Sequence, residues 1–170
     1  MTSPLFWKDV LDNWLHRHPG ARLAIVGVGH PLRGDDAAGP EVAVRLRARL
    51  PLNDNVLIVD AGPVPENATG VLRRFQPTQV LLIDAANLRR APGAVRLLYP
   101  AQLRGLSAST HSLPLDVLAN YLQVELGCEV VMLGVQPQTV GVVAPISAPV
   151  KVAINQIVEI LANDLLQPAD

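Results

Sequence analysis

Four stretches of this chain are continuous apolar runs with turn residues at their ends: RLAIVGVG (22–29), NVLIVDAG (55–62), QVLLIDAA (79–86) and EVVMLGVQP (129–137). A strand with one wet face alternates apolar and polar residues, whereas a run without alternation has to be covered on both faces. Helical patterns separate the runs. Leu5, Phe6, Val10, Leu11, Trp14 and Leu15 recur at helical spacing, and Val42, Leu46 and Leu50 share one face of AGPEVAVRLRARL. PENATGVLRRF carries proline in its first turn, LPLDVLANYLQVEL follows the loop AQLRGLSASTHS, and residues 148–166 read as a closing helix. GAVRLLYP is a fourth, shorter strand in chain order, which makes EVVMLGVQP the fifth. Strands alternating with helices predict an α/β fold in three layers, with helices on both faces of one twisted, mostly parallel, five-stranded sheet. No linker or repeat divides the chain. The expectation is one domain over 1–170, with 1–21 a helical extension and 22–166 the core.

Composition narrows the class. Apolar residues make up 49% of the chain and aromatics only 4%, so packing rests on Val, Leu, Ile and Ala. A net charge of −1 without a basic run offers nothing to nucleic acid or an anionic membrane. Cys128 is the single cysteine, which excludes an internal disulfide and suits a reducing cytoplasm. Lys8, Asp9 and Asp12 interrupt any secretory h-region, and no stretch reaches the length of a membrane span. A cytoplasmic monomer is expected.

In open sheets of this kind, ligands bind beyond the carboxyl ends of the strands. Asp36 follows the first run, Asp60 and Gly62 fall at the end of the second, Asp84 ends the third, and His111 lies in the loop after the fourth strand. The first turn, GVGHPLRGDD (27–36), superficially suggests a dinucleotide loop. Its third glycine, Gly34, comes one position late, Pro31 interrupts it, and Asp35 and Asp36 occupy the place of the anion. Two carboxylates there would repel a pyrophosphate by roughly 4 kcal/mol per close pair at intermediate dielectric. A blander reading makes Asp35 or Asp36 the cap of the next helix, though one helix needs one cap. A third reading is a cation site, in which Asp36, Asp84 and His111 supply two hard oxygens and an imidazole nitrogen to a first-row divalent ion. Against it, Ser112 could cap the helix after STHSLP and leave His111 idle, while His30 inside the turn could be structural. His16 and His18 read as solvent-facing.

Five stretches taken together resemble the hydrogenase maturation endopeptidases, which process the large subunit of nickel–iron hydrogenases. They are GVGHPLRGDDAAG, VDAGPVPEN, QPTQVLLIDAANL, STHSLPLDVL and VVMLGVQPQTVG, in the family's order. DAGPVPEN, THSLPL and LGVQP look closest to the branch serving formate-hydrogenlyase, or hydrogenase 3, enzymes. The resemblance implies one twisted sheet of the phosphorylase/hydrolase-like kind, with Asp36, Asp84 and His111 as the metal-site ligands and Asp36 and Asp84 as the catalytic carboxylates. His30, Asp35, Asp60 and Gly62 would then support the site or meet the substrate. The chain departs from the family at His30, where asparagine is usual, and at Ala61, where a glycine is usual. The segment before Arg22 has no recognised counterpart; it reads either as a packing addition or as part of an interface, with Phe6, Trp7 and Trp14 able to mediate contacts.

The resemblance also implies an activity. The substrate would be a nickel-loaded large-subunit precursor from which a short C-terminal extension is removed, maturing the hydrogenase. Nickel would arrive with the substrate, and zinc or cadmium could replace it in crystals. Two routes stay open: an ion that polarises the carbonyl and activates water, or a carboxylate acting as general base in the manner of an aspartic-type endopeptidase. The competing classes are a nucleotide- or small-molecule-binding module and an inactive precursor-binding chaperone.

Overall fold

The computed structural model of the chain describes residues 6–106 and 113–167. Strands β1 (Leu23–Val28), β2 (Val56–Gly62), β3 (Gln79–Ala85), β4 (Val95–Leu98) and β5 (Glu129–Val135) form one sheet in the order β2-β1-β3-β5-β4. All neighbours run parallel except β4, which lies antiparallel to β5 at one edge. The helices are α1 (Phe6–Leu15), α2 (Ala38–Arg49), α3 (Thr69–Phe75), α4 (Leu115–Leu126) and α5 (Ala148–Leu165). Every residue of β1 and of β3 is buried, which is what continuous apolar runs require.

The period-two geometry of the strands sorts those apolar residues between two cores. Leu23, Ile25, Leu81 and Ile83 pack with α1, α2 and α5, whereas Ala24, Val26, Val80 and Leu82 pack with α3 and α4. Each fully buried Leu, Ile or Val contributes about 1.5–3 kcal/mol of transfer free energy, so the central strands anchor both layers. The segment PENATGVLRRF opens as a 3₁₀ turn, Pro65–Ala68, before α3 begins at Thr69. Helix α4 stops where Gly127 adopts φ +63°, a left-handed cap.

Helix α1 is a packing addition to the core. Trp7, Leu11 and Trp14 fall on one helical face and are buried in the same core as α2 and α5. Trp14 is fully buried, and its indole N–H donates to Glu129 Oε2 at 3.1 Å. These two tryptophans hold α1 onto the sheet; of the three aromatics, Phe6 alone is exposed. Among the described residues no helix is long and apolar enough to cross a membrane.

At the carboxyl rim the helix layer meets the strands backbone to backbone. A Cβ on Gly39, in the first turn of α2, would lie 2.2 Å from the Ile83 carbonyl oxygen and 2.3 Å from that of Val28. Only glycine lets α2 start directly on the ends of β1 and β3, and this fixes where the preceding turn can lie.

Candidate active site

The turn after β1 is wound tightly. Gly29 adopts φ +137°, and a Cβ there would sit 1.8 Å from the Asp36 carbonyl oxygen. The Gly29 N–H donates to the Gly62 carbonyl at 2.9 Å, so the turns after β1 and β2 are joined. Residues Gly34–Ala37 form a 3₁₀ turn leading into α2, and both aspartates lie in it. Neither is a helix cap by its side chain. The residue before α2 is Ala37, and no side chain caps that end. The capping reading is therefore set aside, for a local reason: both carboxylates are engaged elsewhere.

Asp35 is fully buried and accepts four hydrogen bonds. Its Oδ2 takes the N–H of Gln138 at 2.7 Å, the N–H of Thr139 at 3.0 Å and the Ser147 hydroxyl at 2.8 Å. Its Oδ1 takes the Ser147 N–H at 2.7 Å. Main-chain bonds lace the same two segments together, Asp35 N–H to the Thr139 carbonyl at 2.8 Å and Gly34 N–H to that of Ala144 at 3.1 Å. Charge-assisted bonds of this kind are stronger than neutral ones, so Asp35 fastens the loop after β5 to the turn after β1.

Asp36 is equally buried, at 1% exposure, but differently used. Oδ2 accepts the His30 N–H at 2.9 Å. Oδ1 is shielded from water and accepts no hydrogen bond among the described residues. A buried carboxylate oxygen left without a donor is expensive, and such groups persist where a ligand, ion or proton completes them. Asp84 is fully buried at the carboxyl end of β3, opposite Gly134 of β5. Because β3 lies beside β1, and the Gly34–Ala37 turn packs against β3, the two carboxylates belong to the same part of the rim.

The other expected site residues are placed as follows. The His30 Nδ1 accepts the Leu32 N–H at 3.1 Å, which assigns the ring's remaining proton to Nε2 in the neutral form. Asp60 is exposed within β2, and its Oδ1 accepts the Gly62 N–H at 3.0 Å. Gly62 has φ +58°, with open space where a Cβ would go. His111, with Ser112, lies outside the described residues. Among the described residues the group of three metal-ligating side chains that converges is a different one, Asp12, His16 and Asp164, near the other end of the molecule.

Sequence reasoning left one part of the rim unassigned. Gln136, just past β5, accepts the Leu88 N–H at 2.7 Å and the Arg90 N–H at 3.3 Å on its Oε1, fixing the loop after Asp84. The signal was the glutamine in LGVQP, a residue with both donor and acceptor at a strand end.

Comparison with known proteins gives this rim a family. A sequence model described as hydrogenase maturation protease matches residues 40–164. The hydrogenase 3 maturation protease of Escherichia coli K12 is 34% identical over 131 residues, 76% of this chain and 82% of that protein. A crystal structure of the HycI [NiFe] hydrogenase maturation protease from Thermococcus kodakarensis superposes with a TM-score of 0.83 at 32% identity, over 93% of this chain and 99% of that one. A crystal structure of a hydrogenase 3 maturation protease gives a TM-score of 0.72 at 32% identity, covering 84% and 90%. These matches define a peptidase on a three-layer α/β sheet. The chain belongs to the hydrogenase maturation protease family.

Proposed function

We propose that this peptidase removes the C-terminal extension of a nickel-loaded [NiFe]-hydrogenase large-subunit precursor, of the hydrogenase 3 kind, with Asp36, Asp84 and His111 at the reacting centre. The observation that carries the reading is the Asp36 Oδ1 atom, buried and without a hydrogen-bond donor among the described residues, in a turn whose other carboxylate accepts four hydrogen bonds. Relatives named as hydrogenase 3 maturation proteases support the choice of substrate class.

The donor set suits a first-row divalent ion: hard carboxylate oxygens from Asp36 and Asp84, with an imidazole from His111. On this reading nickel belongs to the substrate, held in the precursor by its own ligands, and these three residues complete its surroundings as the precursor docks. Such an ion polarises a carbonyl and makes water more acidic. The chain's own residues do the rest. The His30 N–H holds Asp36 by Oδ2, so Oδ1 faces the incoming group in one orientation. Asp35 keeps the turn rigid through Gln138, Thr139 and Ser147. When water attacks the scissile carbonyl, its proton passes to a rim carboxylate and from there to the departing amine. The His30 imidazole in this chain adds an ionisable ring beside the turn.

The role of nickel as a recognition element is tested by offering the protein the same precursor with and without nickel. Mass spectrometry should show loss of the C-terminal peptide from the loaded form only. Equal cleavage of both forms, or of neither, would refute the proposal. The one-domain arrangement, with 22–166 as the core, is part of the same proposal, as is action on a soluble precursor in the cytoplasm by a monomer. Burial of Trp7, Leu11 and Trp14 in the shared core supports treating residues 6–21 as part of that unit.

A further inference from the structure

We propose that the groove along the open edge of β4 docks an extended, acidic segment of the protein substrate beside the reacting centre. The inference rests on the reading that the chain cleaves a protein precursor. It adds where that protein is held and what chemistry holds it.

Strand β4 pairs with β5 alone, in the register Val95↔Val135 to Leu98↔Met132. The Gln136 N–H reaches the Ala94 carbonyl at 2.8 Å, and alternation along an antiparallel pair then turns the N–H and C=O of Val95 and Leu97 outward. Among the described residues, Val95–Leu98 make no main-chain hydrogen bond outside this ladder. An edge of this kind accepts a further strand, with the main chain giving affinity and side-chain pockets giving selectivity.

The edge does not face open solvent directly. It borders a groove of about 990 Å³ walled by Phe6 and Val10 of α1 and by Val152 of α5, with Tyr99 at its far end. Phe6 is 57% exposed and Val152 55%, so the walls present apolar surface for alternate side chains of a guest. Arg90 and Arg96 line the same groove, no Asp or Glu does, and neither arginine forms an ion pair among the described residues. A strand added at this edge turns its side chains to both faces of the sheet, so it meets Arg96 on the face shared with Leu98 as well as Arg90 at the groove. Two arginines without ion pairs among the described residues select a guest carrying carboxylates.

Position ties the groove to the reaction. Because β4 runs against β5, its Arg90–Val95 end lies beside Val135, which is also paired with Ala85, the residue after Asp84. From β3 to β4 is two strand spacings, roughly 10 Å. That is about three residues of extended chain. A polypeptide with its scissile bond at the rim therefore reaches the groove almost at once.

The test is steady-state cleavage of the nickel-loaded precursor by the full chain carrying Arg90→Glu and Arg96→Glu together. KM should rise about tenfold or more with kcat unchanged, since the reacting carboxylates are untouched. Arg90→Lys with Arg96→Lys should restore most of the affinity, and added salt of about 0.5 M should narrow the gap between wild type and the charge-reversed protein. Thermal unfolding of both variants within a few degrees of wild type shows that the fold is intact. If wild type cleaves while the charge-reversed protein is folded and keeps its KM within twofold, the groove is not a docking site. A fall in kcat at constant KM would overturn it too. If wild type fails to cleave the loaded precursor at all, the underlying reading falls with it.

Discussion

At the amino end of the sheet, Glu129 accepts the Trp14 indole N–H at 3.1 Å and lies 3.0 Å from His18 Nε2 and 3.5 Å from Arg17. At the carboxyl end, Asp35 and Asp36 meet main-chain N–H groups and one serine hydroxyl, with no cationic side chain in an ion pair among the described residues. The first carboxylate is half in water and has its countercharges in the protein. The second pair is buried and held by dipoles. Ion pairs at a wet surface are worth little and can form from flexible side chains. A buried carboxylate held by N–H groups needs a backbone bent to fit it, which is why the rim is rich in close glycine contacts. The amino end has settled its charge internally, while at the carboxyl end one buried oxygen, Asp36 Oδ1, has no donor among the described residues.

The largest expected effect lies at the proposed reacting centre. Replacing Asp84 by Asn keeps the shape at the end of β3 and removes its charge, so cleavage of the loaded precursor should fall by about 10²–10⁴-fold. Timed gels or mass spectrometry of the processed subunit read this directly, and full-rate processing would break the contrast between the two ends. The next effect is on stability. Asp35→Ala leaves four part-buried donors without their acceptor and should cost roughly 3 kcal/mol, measured by urea unfolding. A loss below 1 kcal/mol would mean that Asp35 does not fasten the loop after β5.

The smallest effect belongs to the amino end. The hydrogen bond to His18, aided by the charge of Arg17, holds the Glu129 carboxyl below its ordinary range. A carboxyl depressed in the folded state stabilises the protein above its unfolded pKa, and the gain disappears as pH falls through the folded value. Its side chain is 39% exposed, so solvent screening limits the gain. Glu129→Gln should therefore cost about 1 kcal/mol or less near neutrality. The difference from wild type should close in acid below the ordinary carboxylate range. Unfolding midpoints measured across pH check this, and a gap that widens in acid would contradict it.

Much of the architecture was legible because the physics is local. Runs such as QVLLIDAA cannot be solvated on either face, and the strand they predict, β3, is buried throughout. The antiparallel course of β4 was less so: four residues carry no mark of direction, and the loop held by Gln136 decides it. The buried face of α1 was encoded in Trp7, Leu11 and Trp14, yet aromatic residues near an end also suit an interface, and only the packed core distinguishes the two. Within the turn, Asp35 and Asp36 are the same residue type at adjacent positions. What separates them is Gln138, Thr139 and Ser147, partners from a distant loop that local pattern cannot reveal. The Asp36 Oδ1 atom likewise emerges only when the donors among the described residues have been assigned.

The direct test compares Asp36→Asn with wild type on the nickel-loaded precursor while following thermal unfolding of each. An amide in place of this carboxylate still offers the His30 N–H an acceptor, so the fold should hold and the melting temperature should stay within a few degrees. The precursor should remain uncut. A folded Asp36→Asn protein that processes the precursor at the wild-type rate would show that the open oxygen at the rim takes no part in the reaction.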